Sequence, residues 1–420
     1  MKDRKAMLNT FQQRNHAMLP RATHDETSRQ EFAKSLKQFV QEALLPGLSP
    51  VFKQRAAEKF ALERGHAPLE RQAIRSAMRD DPYFQAYAST NRISQELMWA
   101  SVTDSIEREL PELIERAQSL SSGSRSQLKI PEKFEVPRYI SALDIHCMPG
   151  GYASEVTAHD VSVAALYDRG AYLYGLGYGG PNNDDFGVSV CNYVKRNLPE
   201  FRPRRILDMG CTVGHSTLPY KEHFPDAEVW GIDVGAPLVR YAHARAAALG
   251  LEVNFAQMNA EATDFESESF DLIVSHILLH ETSSKAMPRI MSECFRLLAP
   301  GGYMIHADLP PFDLMDPFTQ FILDNETWYN NEPFWGAMRD TDQISLAVKA
   351  GFSRDKVYFS TAPMAILEAS AKRAAGYTQA SATAVAEREF KAGEYAPGGG
   401  WEVLVAEKPN LRSVSGETGA

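Results

Sequence analysis

Apolar positions in the first third of the chain recur at helical intervals. Phe32, Leu36, Phe39, Val40, Ala43 and Leu44 share one face, and Pro46-Gly47 closes the run. Leu69, Ala73, Ile74 and Met78 mark a second amphipathic helix that ends near Asp81-Pro82. Leu97, Met98, Val102, Ile106, Leu110 and Leu113 line a longer one over 93–118. Residues 1–125 are therefore expected to form an all-helical module, led by a polar surface arm, and Ser121-Ser122-Gly123-Ser124 signals its end. Residues 126–200 read as a linker and lid segment. Pro149-Gly150-Gly151 and the glycine-rich run 175–180 bracket Tyr167, Tyr172, Tyr174 and Tyr178 there. Those tyrosines suit either a helix packed on a neighbour or a lid over a pocket.

From Arg204 the pattern changes to short apolar runs alternating with helical stripes. Strands are expected over 205–209, 227–233, 251–257, 270–275, 303–307, 356–360 and 402–406. Helices are expected over 237–249, with Pro237 in the first turn and Gly250 past the end, and along Met287, Ile290, Met291, Cys294 and Leu298. This alternation predicts an α/β domain over 201–410, with a largely parallel sheet covered by helices on both faces. An aromatic insertion over 310–337 interrupts the rhythm with Phe312, Phe318, Phe321, Trp328, Tyr329, Phe334 and Trp335. It reads equally as a satellite core or as a cap over an acceptor pocket. Residues 411–420 read as a disordered tail.

Composition narrows the partners. Asp plus Glu outnumber Lys plus Arg by 54 to 44 in 420 residues, a formal charge of −10. That balance argues against a surface built to clamp nucleic-acid phosphates or to bind an anionic membrane. No apolar run approaches the ~20 residues that span a bilayer. The polar N-terminus MKDRKAMLNTFQQRN lacks the apolar stretch of a secretory signal, so a cytoplasmic location is expected. The four cysteines are scattered without a CxxC pair, which predicts neither a disulfide framework nor a metal centre.

The stretch Ile206-Leu207-Asp208-Met209-Gly210-Cys211-Thr212-Val213-Gly214-His215-Ser216-Thr217 carries the first chemistry. A strand enters a glycine turn, where the absence of Cβ lets a ligand approach the backbone, and the turn enters a helix. Asp208 can hold an ammonium. Asp233, 25 residues on and at the end of the second strand, can accept both hydroxyls of a ribose. The dinucleotide pattern G-x-G-x-x-G fails, because Thr212 and His215 occupy its second and third glycine positions.

Taken together, residues 204–308 resemble the class I S-adenosylmethionine-dependent methyltransferases, especially the ubiquinone/menaquinone-type, small-molecule branch. ILDMGCTVGHST is similar to the first motif and WGIDVG to the second. QMNAEATDFESESFDLIVSHILLHE is similar to the adenine loop and fourth strand, and FRLLAPGGYMIHAD to the helix-PGG-strand segment. The resemblance implies a Rossmann-like sheet of seven strands with the last antiparallel. It implies S-adenosyl-L-methionine as cofactor, held by Asp208, Gly210, Gly214, Asp233, Asn259, Ala260 and Ser275. Thr212 stands where the family usually has glycine, and Asn259 where it usually has aspartate.

The same resemblance excludes sister branches. Ser275-His276-Ile277-Leu278 stands where nucleic-acid amino-methylating enzymes carry an Asp/Asn-Pro-Pro-aromatic motif and where catechol enzymes place a metal-binding carboxylate. His276, His280 and Glu281 follow the fourth strand and are the catalytic candidates. Leu279-His280-Glu281 is similar to the Leu-His-Asp stretch of plant-type O-methyltransferases, whose histidine is the base. Imidazole suits that role because it titrates near neutrality. His306 and Asp308, ending the fifth strand, and Trp328 and Trp335 of the cap are the substrate-pocket candidates. The expected activity is methyl transfer to a small organic acceptor, with a hydroxyl or carboxylate oxygen as nucleophile. The alternatives are C- or N-methylation of a small metabolite, methylation of a protein, or a cofactor-binding scaffold without activity. A small-molecule acceptor is the expected partner, with no nucleic acid and no membrane. A homodimer through the helical module is the candidate assembly.

Overall fold

The computed structural model describes residues 12–374 and 399–410, so the tail expected over 411–420 lies outside the described residues. Helix α1 (His24–Phe39) begins on a capping box. Thr23 accepts from the Glu26 backbone, and the Glu26 carboxylate accepts from the Thr23 backbone. Helix α2 (Arg71–Met78) is followed by α3 (Pro82–Ser122), 41 residues long. The Asp81 side chain accepts from the backbones of Tyr83 and Phe84, and Pro82 occupies the first turn, where its missing N–H costs nothing. The polar lead-in is part of the core at Met18. That side chain packs with Ala33, Met98, Trp99 and Val102 against α4 (Ser162–Tyr174) and α6 (Ala236–Ala248).

The sheet has eight strands in the order β1-β4-β3-β2-β5-β6-β8-β7. They are β1 (Leu128–Lys129), β2 (Arg205–Met209), β3 (Glu228–Asp233), β4 (Asn254–Gln257), β5 (Phe270–His276), β6 (Leu298–Asp308), β7 (Val357–Pro363) and β8 (Gly400–Glu407). β8 runs antiparallel to both β6 and β7. The eighth strand, beyond the seven expected, is β1, a two-residue addition that pairs Leu128 with Phe255 at the β4 edge.

Alternation along the strands sends two sets of side chains to two cores. Leu207, Met209, Ile273 and Met304 meet Met287, Ile290, Met291 and Cys294 of α7 (Ala286–Leu297). Ile206, Leu272, Val274 and Ile305 meet Val190 and Val194 of α5 (Asp185–Asn197) and Val239 and Ala242 of α6. From β2 the chain proceeds outward through β3 and β4, then crosses back to place β5 on the other side of β2. The strand order therefore reverses between β2 and β5, where open α/β sheets leave a crevice at the carboxyl ends.

The aromatic insertion turns most of its rings away from that crevice. Phe318, Phe321 and Tyr329 pack with Val40, Leu48, Ile74 and Phe84 of the helical module, and Phe52 stacks on Phe318 at 5.1 Å. Trp328 is 62% exposed and lies over the Arg75 guanidinium at 4.9 Å, so it forms no pocket wall. Among the described residues, no helix is long and apolar enough to cross a membrane.

Candidate active site

At the end of β2 the chain turns through two left-handed residues, Gly210 (φ 75°) and Thr212 (φ 44°). A Cβ at 210 would stand 2.7 Å from Leu278 Cδ1, the end of a side chain that can give way, so it is the left-handed φ that favours glycine there. The Gly210 backbone donates to the Ile232 carbonyl at 2.8 Å, and the Thr212 backbone donates to Asp233 Oδ2 at 3.0 Å. Asp233 Oδ1 accepts from the Gly235 backbone at 3.0 Å. Burial pushes the Asp233 carboxyl up to about 6 despite these donors. Asp208 accepts from Thr217 Oγ1 at 2.5 Å and lies 3.3 Å from His276 Nδ1 across the switch point. The other ring nitrogen of His276 accepts from the Tyr220 hydroxyl at 3.0 Å, so both nitrogens are engaged.

A cavity of about 600 Å³ opens from this turn toward the helical module. Asp208, Gly210, Asp233, Asn259 and Ala260 line one end. Tyr167 and Tyr174 of α4, with Tyr178 just beyond it, line the side. α4 is anchored by the buried Asp168. Its carboxylate accepts from the Tyr241 hydroxyl at 2.7 Å and Gln13 Nε2 at 2.9 Å and meets His215 Nε2 at 2.9 Å.

The far end holds a buried cluster of imidazoles and carboxylates. The backbones of Leu279 and Leu309 donate to Asp308, each at 2.8 Å. Asp308 can only accept as a carboxylate, so His280 Nδ1–H donates to it at 2.7 Å, and His280 Nε2 carries the lone pair. Nε2 lies 3.7 Å from Glu281 Oε1 and 4.0 Å from Glu332 Oε2, with no hydrogen-bond partner among the described residues. Burial draws the His280 pKa down, but Asp308, Glu281 and Glu332 outweigh it and hold it above the ordinary value. The second imidazole, His146, bridges the two glutamates, with Nε2 at 2.8 Å from Glu281 and Nδ1 at 2.8 Å from Glu332. Burial opposes its charge, yet Glu332 and Glu281 keep its pKa well above the usual histidine range. Glu281 also accepts from the Tyr152 hydroxyl at 2.9 Å.

The helical module fixes His146. Its carbonyl accepts from Trp99 Nε1 at 2.8 Å and from Gln95 Nε2 at 3.1 Å, both on α3. These bonds hold His146 and Cys147 at φ 55° and 57°, a left-handed pair that non-glycine residues adopt only when their surroundings impose it. Lys37 of α1 donates to Gln95 Oε1 at 2.8 Å and lies over the Tyr174 ring at 4.0 Å. Burial takes its ammonium down to about 8.

The sequence profile of the methyltransferase domain family matches residues 206–302, which run from β2 into β6. The chain carries a class I S-adenosylmethionine-dependent methyltransferase domain. It is 36% identical over 112 residues to the demethylmenaquinone methyltransferase of Thermus thermophilus, a match covering 27% of this chain and 50% of that protein. It is 34% identical over 103 residues to the malonyl-[acyl-carrier protein] O-methyltransferase of Methylococcus capsulatus, covering 24% of this chain and 35% of the other. The matches thus span half or less of these relatives. Phosphoethanolamine N-methyltransferase 2 of Haemonchus contortus, solved with S-adenosyl-L-methionine, covers 58% of this chain and 57% of its own at 19% identity and a TM-score of 0.40.

The fold brings Asp208, Gly210, Asp233, Asn259, Ala260, His276, His280, Glu281 and Trp335 to one cavity. Besides Trp328, four other expected site residues lie outside its wall. Gly214 (φ 78°) closes the turn by donating to the Cys211 carbonyl at 2.8 Å. Ser275 and His306 are paired in the register of β5 and β6 and bond each other at 2.6 Å beneath the floor, where burial takes His306 down to about 4. Asp308 stands behind His280 and reaches the cavity only through it. Sequence reasoning missed His146, Tyr152 and Glu332. The glycine-rich bracket at 149–151 flanks the first two, and nothing in the pattern marked Glu332.

Proposed function

We propose that the chain transfers the methyl group of S-adenosylmethionine to a small organic acceptor bound in the cavity between the glycine turn and the His280 cluster. One observation carries the reading: a single cavity joins the cofactor motifs to a buried group of imidazoles and carboxylates. Asp233 is assigned to the ribose diol, and Asp208 with the turn backbone to the amino-acid end of the cofactor. Leu309, Trp335 and the lid tyrosines supply the apolar wall that small-molecule sites use, with few polar groups to orient the acceptor. Alignment of nucleophile, methyl carbon and sulfur supplies much of the acceleration.

The acceptor chemistry this end suits is an acidic hydroxyl, phenol or enol. Removing or masking its proton generates an anion that is nucleophilic at oxygen and, in an enol or phenol, at the adjacent carbon. The proposal therefore covers O- and C-methylation, wider than the oxygen nucleophile expected from the residues alone. His280 Nε2, unpaired and facing the cavity, is the group assigned to meet that hydroxyl. The test incubates the full chain with methyl-labelled cofactor and a panel of phenols, enols, carboxylic acids and amines, and follows S-adenosylhomocysteine and labelled product together. Product from a phenol or enol with no turnover of amines is the expected result. Turnover confined to amines would replace this reading with N-methylation.

A further inference from the structure

We propose that His146, His280 and Glu332 form a binding site for a first-row divalent transition cation, and that the open coordination positions of the ion take the acceptor's oxygen. The inference rests on the proposed function only for that second part, and with the cation bound the ion takes the place assigned there to the His280 Nε2 lone pair in meeting the acceptor's oxygen. The three side chains come from separate segments, yet one ligating atom of each lies within 4.8 Å of the others. Donors about 2.1 Å from a common ion stand roughly 3–4 Å apart. His280 Nε2 is 4.0 Å from Glu332 Oε2 and 3.7 Å from Glu281 Oε1, which makes Glu281 the natural fourth donor or its immediate neighbour.

Two further observations point to a ligand. His280 and Glu332 are each 1% exposed, and His280 Nε2 and Glu332 Oε2 have no hydrogen-bond partner among the described residues. Two orphaned polar atoms on separate segments, facing each other in a buried space, need a third group between them. Behind His280, Asp308 accepts its Nδ1–H and is itself fixed by two backbone donors, the carboxylate–imidazole arrangement that orients metal-bound histidines. Two imidazoles with one or two carboxylates and no thiolate suit zinc, ferrous iron, cobalt or manganese rather than calcium or magnesium. A dication there displaces one ring proton of His146 and takes the lone pair of His280 Nε2, balanced by the carboxylates of Glu281 and Glu332. The wall at this end is completed by Tyr152, Leu309 and Trp335, which leaves the cavity side of the ion for an acceptor oxygen.

Stripping the full chain with a chelator and titrating it with Co²⁺ tests the site by visible absorption. One equivalent with ligand-field bands is expected, and Glu332→Gln and His280→Asn should each weaken binding about 100-fold or more while cofactor affinity, measured by calorimetry, stays within about twofold. Co²⁺ held equally by wild type and both variants, or not held at all, overturns the site. Acetohydroxamate, a small bidentate oxygen ligand, should shift the Co²⁺ bands; an unmoved spectrum overturns the open positions. Methyl transfer at full rate by the metal-free chain would overturn the role of the ion and leave the methyltransferase reading intact. Stoichiometric cation binding without transfer to any acceptor class would support the site and count against that reading.

Discussion

The two ends of the cavity are built in opposite ways. The cofactor end comes from one stretch, 206–262, in which each strand delivers its functional residue at its carboxyl terminus: Asp208 from β2, Asp233 from β3 and Asn259 just past β4. Its groups are mostly backbone and carboxylate, satisfied within the turn itself. The end proposed for the acceptor joins His146 and Tyr152 between β1 and β2, His280 and Glu281 after β5, Asp308 at the end of β6 and Glu332 in the insertion. Its groups are side chains that satisfy one another across long chain separations, and two polar atoms remain open. Continuity suits the first end to the cofactor role proposed for it. The second end depends on the helical module, because Trp99 and Gln95 hold His146 in place.

If the ends are divided in this way, substitutions should separate catalysis from cofactor binding. The largest effect is expected at His280. His280→Ala should lower kcat by about 10²–10⁴-fold, the range for one group that activates a nucleophile, and change the cofactor Kd by less than about twofold. Steady-state kinetics with calorimetry checks both; equal losses in the two quantities would mean that the ends are not independent. The converse variant is Asp233→Ala, which should weaken cofactor binding by about 1.5–3 kcal/mol and leave kcat at saturating cofactor nearly unchanged. A fall in kcat alone would move Asp233 out of the cofactor end.

How much of this was legible follows from the same contrast. Short apolar runs ending in Asp208 and Asp233 located the sheet and two residues that share one end of the cavity, because side-chain alternation and strand-end chemistry are local signals. The sequence also placed His280 and Trp335 at the cavity. It misjudged Trp328, since an aromatic insertion has no period that says which rings face inward. Phe318 and Phe321 were claimed by Val40 and Phe84, more than 200 residues earlier. His306 and Ser275 end their strands as expected of site residues, but their side chains bond each other below the floor. His146 and Glu332 were invisible because their partnership exists only after α3 and the insertion have packed. The eighth strand was missed for a related reason: two residues, Leu128 and Lys129, are too few to show alternation.

A smaller effect sharpens the cofactor end further. Burial beside the Thr212 and Gly235 backbone donors, with Asp208 nearby, leaves the Asp233 carboxyl near 6 in the free protein. A ribose diol prefers the carboxylate, which accepts from both hydroxyls, over the acid, which loses one acceptor. Binding therefore lowers this pKa. Cofactor affinity should be flat above about 6 and fall as pH drops through that value, by up to tenfold per unit. Calorimetric titration between pH 5 and 8 measures it, with Asp233→Asn as the control expected to lack the step. An identical profile in the control would assign the step to another group, or to the cofactor itself.

The smallest effect addresses the residue that departs most from the expected turn. Thr212 is β-branched at φ 44°, a conformation that costs an L-residue about 1–2 kcal/mol relative to the right-handed region. Its side chain interacts with the Tyr167 hydroxyl of α4, a contact that glycine cannot make. Two variants separate these terms. Thr212→Ala keeps a Cβ in the unfavourable region and loses the hydroxyl, so it should lose about 1 kcal/mol of stability. Thr212→Gly loses the same hydroxyl but regains the strain, less about 0.4–1 kcal/mol for the freer unfolded chain. The glycine variant should therefore be the more stable of the two by about 0.5–1 kcal/mol in urea unfolding. Thr212→Ser, which keeps the hydroxyl, should match wild type within about 0.5 kcal/mol. If alanine and glycine prove equal, the strain at this position is no more than the about 0.4–1 kcal/mol that the freer unfolded chain costs glycine. If serine falls with alanine, the interaction with Tyr167 contributes nothing, and threonine at 212 would then be a departure without a compensating contact.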